Sequence, residues 1–248
     1  MDGELQERFV ARWRQYFGEA ELPMACYYTD REDAAPPADA PTGHCCVIGA
    51  LAEVRHGHPR RFDGESVGCW GGKRYFGFTQ AISPTFDYFL SCGIPGRVEG
   101  ERYKKSPELV RAFVDGSPRF TAPARYLVFK RWDRLDAQDT PGVVIFFARA
   151  EVLSGLFTLA NYGEAELHGV IAPFSAGCGS IVQHPYLEGG RERPRAVLGM
   201  FDVSARPFVP RDVLSFAVPI AKFRQMVDDI PESFLITPSW SKVRQRLA

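Results

Sequence analysis

Val143-Val144-Ile145-Phe146-Phe147-Ala148 is an unbroken apolar run that stops at Arg149. Its length is that of a strand, and without polar alternation it must be buried on both faces of a sheet. A helical pattern follows at once, with Val152, Leu153, Leu156 and Leu159 on one side. The same grammar returns at Val213 to Val218, with Pro219 at a helix start and Phe223, Met226, Val227 and Ile230 on one face. The two strand–helix units predict an α+β fold, a mixed sheet with flanking helices and an internal duplication of the strand–helix unit. Two such pairs also arise by chance in any mixed protein, so duplication and coincidence stay open together. No linker forces a boundary, and 1–248 reads as a single compact domain, with pseudo-repeat halves of about 1–120 and 121–248 as a subdivision.

Outward from these units the chain alternates between elements and turns. Leu5, Phe9, Val10, Trp13 and Phe17 recur at helical spacing before Gly18, which predicts an amphipathic first helix. Met24 to Thr29 reads as a strand, Asp30 to Gly43 as a surface loop without a packing pattern, and His44 to Val54 as an apolar helix ended by Gly57. Ser66 to Cys69 and Lys73 to Phe78 are expected as short strands about a Gly71-Gly72 turn. Ser106-Pro107-Glu108 is a helix start: a capping hydroxyl, a proline suited to the first turn and an acid at the positive dipole end. It turns Leu109, Val110 and Phe113 to the core before Gly116. Pro238-Ser239-Trp240 opens a short terminal helix.

Thirty Lys and Arg balance thirty Asp and Glu, which argues against general binding to nucleic acid or anionic membrane, since both need clustered positive charge. No apolar run approaches the roughly 20 residues of a membrane span. Met1 to Arg8 is acidic and polar, unlike a signal peptide. A soluble cytoplasmic protein is expected, with a small molecule as the partner and neither nucleic acid nor membrane; the oligomeric state is not readable.

The cysteines are Cys26, Cys45, Cys46, Cys69, Cys92 and Cys178. In a reducing compartment a chain of this size needs no disulfide framework, and no Cys-x-x-Cys is present to suggest a zinc ribbon or thioredoxin motif. Cys26 reads as strand core and Cys92 as a helix-end core position. Cys69 and Cys178 differ, because glycines flank both. In Gly68-Cys69-Trp70-Gly71-Gly72-Lys73-Arg74 the glycines admit close approach of a ligand, and the basic pair would attract an anion or favour a thiolate. Gly71, Gly72, Lys73 and Arg74 are therefore the candidate ligand- or cofactor-binding group; a hairpin turn with basic tips is the plain alternative. In Gly177-Cys178-Gly179-Ser180, a helix beginning here would aim its free N–H groups at the thiol, as suits a metal ligand or a nucleophile. A glycine-lined packing cysteine is the alternative. His44, beside Cys45, and His184, six residues beyond Cys178, are the imidazoles a thiol enzyme would draw on as base.

These residues resemble the family known as domain of unknown function 169, a cysteine-containing group of archaeal and bacterial proteins. His44-Cys45-Cys46-Val47 resembles its first cysteine segment, with Cys46 at the matching position, and Cys69-Trp70-Gly71-Gly72 followed by Gly77-Phe78 resembles its Cys-x-Gly-Gly segment. Phe89 to Gly93 and Gly100 to Pro107 look like a longer branch of the family. Cys178-Gly179-Ser180 is similar to its later cysteine segment, and Val213 to Val227 to its closing strand–helix. The resemblance implies no settled activity, but it does imply that Cys46, Cys69 and Cys178 belong to one set. The commoner pattern carries a further cysteine near the C-terminus; here that stretch, Gly199 to Arg206, has none, and Asp202 is the candidate oxygen ligand in its place.

Three readings follow. Cys46, Cys69 and Cys178, with Asp202, would hold a metal ion or an iron–sulfur cluster, since thiolates are the usual ligands of soft sites. Alternatively Cys178 or Cys69 is the catalytic nucleophile of a thiol-dependent enzyme or redox protein. In the third, the chain is a non-catalytic ligand-sensing domain that grips an anionic small molecule at Gly71 to Arg74. Whether the protein is an enzyme is left undecided by the sequence.

Overall fold

The computed structural model describes residues 2–39 and 45–247. They form two compact units, one of the residues up to Phe78 and from Ala122 onward, the other of Thr79–Thr121. In chain order the elements are α1 (Gly3–Phe17), β1 (Met24–Thr29), α2 (Val47–Arg55), β2 (Arg60–Phe62), α3 (Trp70–Tyr75), α4 (Phe86–Phe89) and α5 (Pro107–Gly116). There follow β3 (Tyr126–Arg131), β4 (Val143–Ala148), α6 (Ala150–Ala160), β5 (Val170–Ile171), α7 (His184–Glu188), β6 (Ala196–Gly199), β7 (Leu214–Pro219), α8 (Ile220–Asp229) and α9 (Pro238–Arg244).

The strands of the larger unit make one mixed sheet in the order β2-β3-β1-β4-β7-β6-β5, antiparallel throughout except for the parallel pair β5 and β6. The apolar run of β4 is buried along its whole length, as its composition requires. Val144, Phe146 and Ala148 face one core, where Leu5, Phe9, Trp13 and Phe17 of α1 meet Leu156 and Leu159 of α6 and Phe223 and Met226 of α8. Val143, Ile145 and Phe147 face a second core with Val47, Ile48 and Leu51 of α2, Phe76 and Cys178. Both expected strand–helix units form, and their strands lie side by side, from Val143 opposite Pro219 to Ala148 opposite Leu214.

Helix α1 begins where Asp2 Oδ1 accepts from the N–H groups of Glu4 (3.1 Å) and Leu5 (3.4 Å). It ends at Gly18, whose φ of +62° is open to glycine at no steric cost. In the smaller unit Ser106 Oγ caps α5 by accepting from Leu109 N (3.4 Å), as its sequence predicts.

Several local expectations are corrected. Ser66 to Cys69 and Lys73 to Phe78 do not form strands about a turn: Trp70–Tyr75 is a helix, capped by the Cys69 sulfur. A Cβ at Gly72 would stand 2.8 Å from Val67 Cγ1, so this glycine serves close helix packing rather than a hairpin. The apolar helix after the loop starts at Val47, and His44 lies outside the described residues. The 30–43 loop is not wholly without packing, since Ala34 and Ala35 are buried against Tyr27 and Val128. Leu109 is exposed while Val110 is buried, because the core side of α5 is narrower than the apolar pattern suggests, and Cys92 is exposed rather than core.

Candidate functional site

Three cysteines stand where helices begin. Cys46 precedes Val47 with extended backbone (φ −74°, ψ 126°) and heads α2. Cys69 heads α3 in the same way (φ −110°, ψ 143°), and its Sγ accepts from the N–H of Gly72 at 3.2 Å. Cys178 lies in the first turn of a helical stretch over residues 177–188, which widens into a π-helical turn at Gly179–Gln183 before α7. Such turns cluster at functional sites.

Glycines let these helix starts meet. A Cβ at Gly72 would lie 2.8 Å from Cys69 Sγ and 3.4 Å from Val47 Cγ1, which puts the start of α3 against that of α2. A Cβ at Gly177 would meet Met200 Sδ at 2.9 Å and Ile48 Cγ1 at 3.5 Å. One at Gly179 would meet Ser175 Oγ at 2.2 Å and Tyr75 Cδ1 at 2.7 Å, joining the 177–188 helix to α3. The glycines flanking Cys178 are there for space, not for positive φ.

Asp202 completes the arrangement from the segment after β6. Its Oδ2 accepts from Gly177 N at 3.1 Å, while Oδ1 accepts from Ser204 N (3.1 Å) and Ser204 Oγ (2.8 Å). The carboxylate thus caps the helix that carries Cys178. The chain reaches it through Met200, a buried residue at φ +69°. A left-handed conformation in a non-glycine residue costs on the order of 1–3 kcal/mol and is held only by its surroundings. Here Met200 N donates to Ser180 Oγ (3.3 Å), which itself donates to Gly177 O (2.8 Å).

Burial pushes the Cys178 thiol well above its ordinary value; Cys69, Cys46 and Asp202 push the same way, and the Gly179 N–H opposes them. Burial also raises Cys46. The N–H groups of Ile48 and Gly49 resist, and Cys69 and Asp202 add to the rise. Cys69 and Asp202 thus bear on both Cys46 and Cys178, although the four residues come from separate stretches of chain. Tyr75 joins them: burial raises its phenol, Cys178 adds to that, and the Ser175 hydroxyl and Ala176 N–H draw it down. Among the described residues, no group of three or more His, Cys, Asp or Glu side chains is placed to hold a metal ion.

Gly71 and Gly72 are inside α3 rather than in a loop, and Lys73 and Arg74 occupy its last turn, where positive charge suits the negative end of the helix dipole. Cys26 is buried in β1, its thiol raised by burial alone. His184 is pulled down by burial, with Glu188 opposing. Sequence reasoning missed Tyr75, Ser175 and Met200. Only the glycines beside Cys178 hinted at them, since tight packing needs a partner. No helix among the described residues is long and apolar enough to cross a membrane.

A mixed α+β sheet protein with a cysteine-headed junction of helices is the class that fold and site define. The family model for domain of unknown function 169, described as an uncharacterised ArCR, matches residues 14–229 of the 248, and the chain belongs to that family. The match spans all three cysteines and Asp202. Comparison with curated proteins and with solved structures returned no match to either.

Proposed function

We propose that the junction of α2, α3 and the 177–188 helix binds a soft metal ion through the thiolates of Cys46, Cys69 and Cys178. The observation that carries this reading is the close packing of three helix starts at Gly72, Gly177 and Gly179, with Cys46 and Cys69 heading two of the helices and Cys178 in the first turn of the third. A buried thiol without metal keeps its proton, as the raised Cys178 and Cys46 do; coordination removes that proton outright. The negative charge created on three sulfurs would then sit at the positive ends of the helices. Thiolate ligands select zinc or iron over magnesium or calcium. Asp202 has about four acceptor positions on its carboxylate, of which three are engaged, so its first role is to position Cys178 and its second to offer an oxygen. Because the sulfurs are not placed as a closed cage, they must draw together on binding.

The burial of Cys178 favours this over a nucleophile there, because a nucleophile needs an accessible thiolate. Elemental analysis with an absorbance spectrum of anaerobically prepared protein tests the proposal, and the spectrum separates a single ion from an iron–sulfur cluster. The expected result is one metal site per chain, lost in Cys178→Ser and retained in Cys92→Ser. Equal metal content in both variants, or none in the parent protein after exposure to zinc or ferrous iron, overturns it.

A further inference from the structure

We infer that Cys46 and Cys69 form a dithiol that hydrogen peroxide or a small hydroperoxide closes to a disulfide, Cys69 being attacked first and Cys178 staying reduced. The three sulfurs of the junction differ in access. Cys178 is 6% exposed, whereas Cys46 and Cys69 are only partly buried. Trp70, next in the chain after Cys69, is 46% exposed, so peroxide can reach the start of α3. The hydrogen bond from Gly72 N–H orients the sulfur at the first turn of α3 and favours its thiolate. The start of α3 adjoins Val47, the residue next to Cys46: the one Cβ position at Gly72 lies 2.8 Å from Cys69 Sγ and 3.4 Å from Val47 Cγ1. Both cysteines have extended backbone outside their helices, so bridging them unwinds neither.

The chemistry balances. The Cys69 sulfur attacks one peroxide oxygen, the O–O bond breaks, and the departing hydroxide takes a proton and leaves as water, giving the sulfenic acid. The Cys46 sulfur then attacks the Cys69 sulfur, the S–O bond breaks, and a second water leaves with the Cys46 proton. Two thiols have lost two electrons and two protons to one peroxide. Removal of two of the three thiolates would also release the metal, and this consequence alone rests on the metal reading above.

The test uses Cys45→Ser protein, which removes the exposed neighbouring thiol, in metal-free and zinc-loaded samples. After peroxide and digestion of the metal-free sample, the peptide carrying Cys46 should be joined to that carrying Cys69, two hydrogens lighter than their sum. In Cys45→Ser with Cys46→Ser added, dimedone should trap Cys69 as its sulfenic acid. A link from Cys69 to Cys178, or over-oxidation of Cys69 with no link, overturns the inference. Peroxide should also discharge zinc from the loaded sample. If that sample never takes up zinc while the disulfide still forms, the metal proposal fails and the dithiol stands.

Discussion

The Asp202 carboxylate accepts the backbone N–H of Gly177 across 25 positions of sequence, one residue ahead of Cys178. A helix start inside the site is therefore capped from the far side of β6, and the cysteine's place depends on an acid that holds the backbone beside it.

Asp202→Ala should lower stability by about 1 kcal/mol, within the 0.5–2 kcal/mol of a lost cap. Asp202→Asn, which keeps the accepting oxygen, should recover most of it. Urea midpoints of the three proteins decide the matter; an Ala variant as stable as the parent would show that this cap contributes nothing.

Alanine at the three site glycines should give opposite results. At Gly179 the new methyl would lie 2.2 Å from Ser175 Oγ and 2.7 Å from the Tyr75 ring, an overpacking expected to cost about 1–3 kcal/mol. Gly177→Ala should behave alike against Met200 and Ala205. At Gly71, inside α3 with open space around it, alanine should be neutral or stabilising by roughly 0.4–1 kcal/mol. Thermal midpoints read the contrast.

Stability should fall as alkalinity rises. Burial raises the thiols of Cys26, Cys46 and Cys178 in the folded chain, so below the ordinary thiol value of about 8.5 both states are protonated and the stabilisation is complete. Above that value the unfolded chain releases these protons while the native one holds them, and stability drops with each step of pH. Urea titrations of metal-free protein from neutral pH to about pH 10 should show the loss, with a shallower slope in Cys178→Ala.

Lys130 is nearly fully buried, and its ammonium donates to both oxygens of Asp139 and to Asp136 Oδ2, each at 2.9 Å. Tyr27 donates its hydroxyl to the same Asp139. Asp139→Ala should cost about 3–5 kcal/mol, because it leaves the buried Lys130 with only the exposed Asp136 carboxylate and takes away the acceptor of the Tyr27 hydroxyl. The double change Lys130→Met with Asp139→Leu should cost much less. A double variant as damaged as the single one would show that packing, not charge, governs this corner.

The parts of the fold readable in advance were those governed by local rules. Val143 to Ala148 had to be buried on both faces, and the Phe9, Trp13 and Phe17 ladder had to be helical, because their periodicities admit little else. Trp70 to Tyr75 was misread because Gly-Gly commonly marks a turn, whereas here Gly72 is small to let α3 rest on Val67 and Val47. Such a contact lies between distant segments and leaves no periodic trace. Cys46, Cys69, Cys178 and Asp202 were grouped through family resemblance, since they come from four separate stretches of chain that no local pattern links. The supporting shell of Tyr75, Ser175 and Met200 was invisible, since nothing in an isolated Tyr or Met announces the neighbour it will meet.

Strand β1 lies between β3 and β4, yet on the ribosome it emerges long before either. At about 5–20 residues per second, Met24 to Thr29 waits several seconds or more for Tyr126 to Arg131 to appear. During that interval its apolar face and both hydrogen-bonding edges lack their final partners. Synthesis rather than refolding is thus the vulnerable moment for this chain, and slowing translation between β1 and β3 should send more of it to aggregates or chaperones.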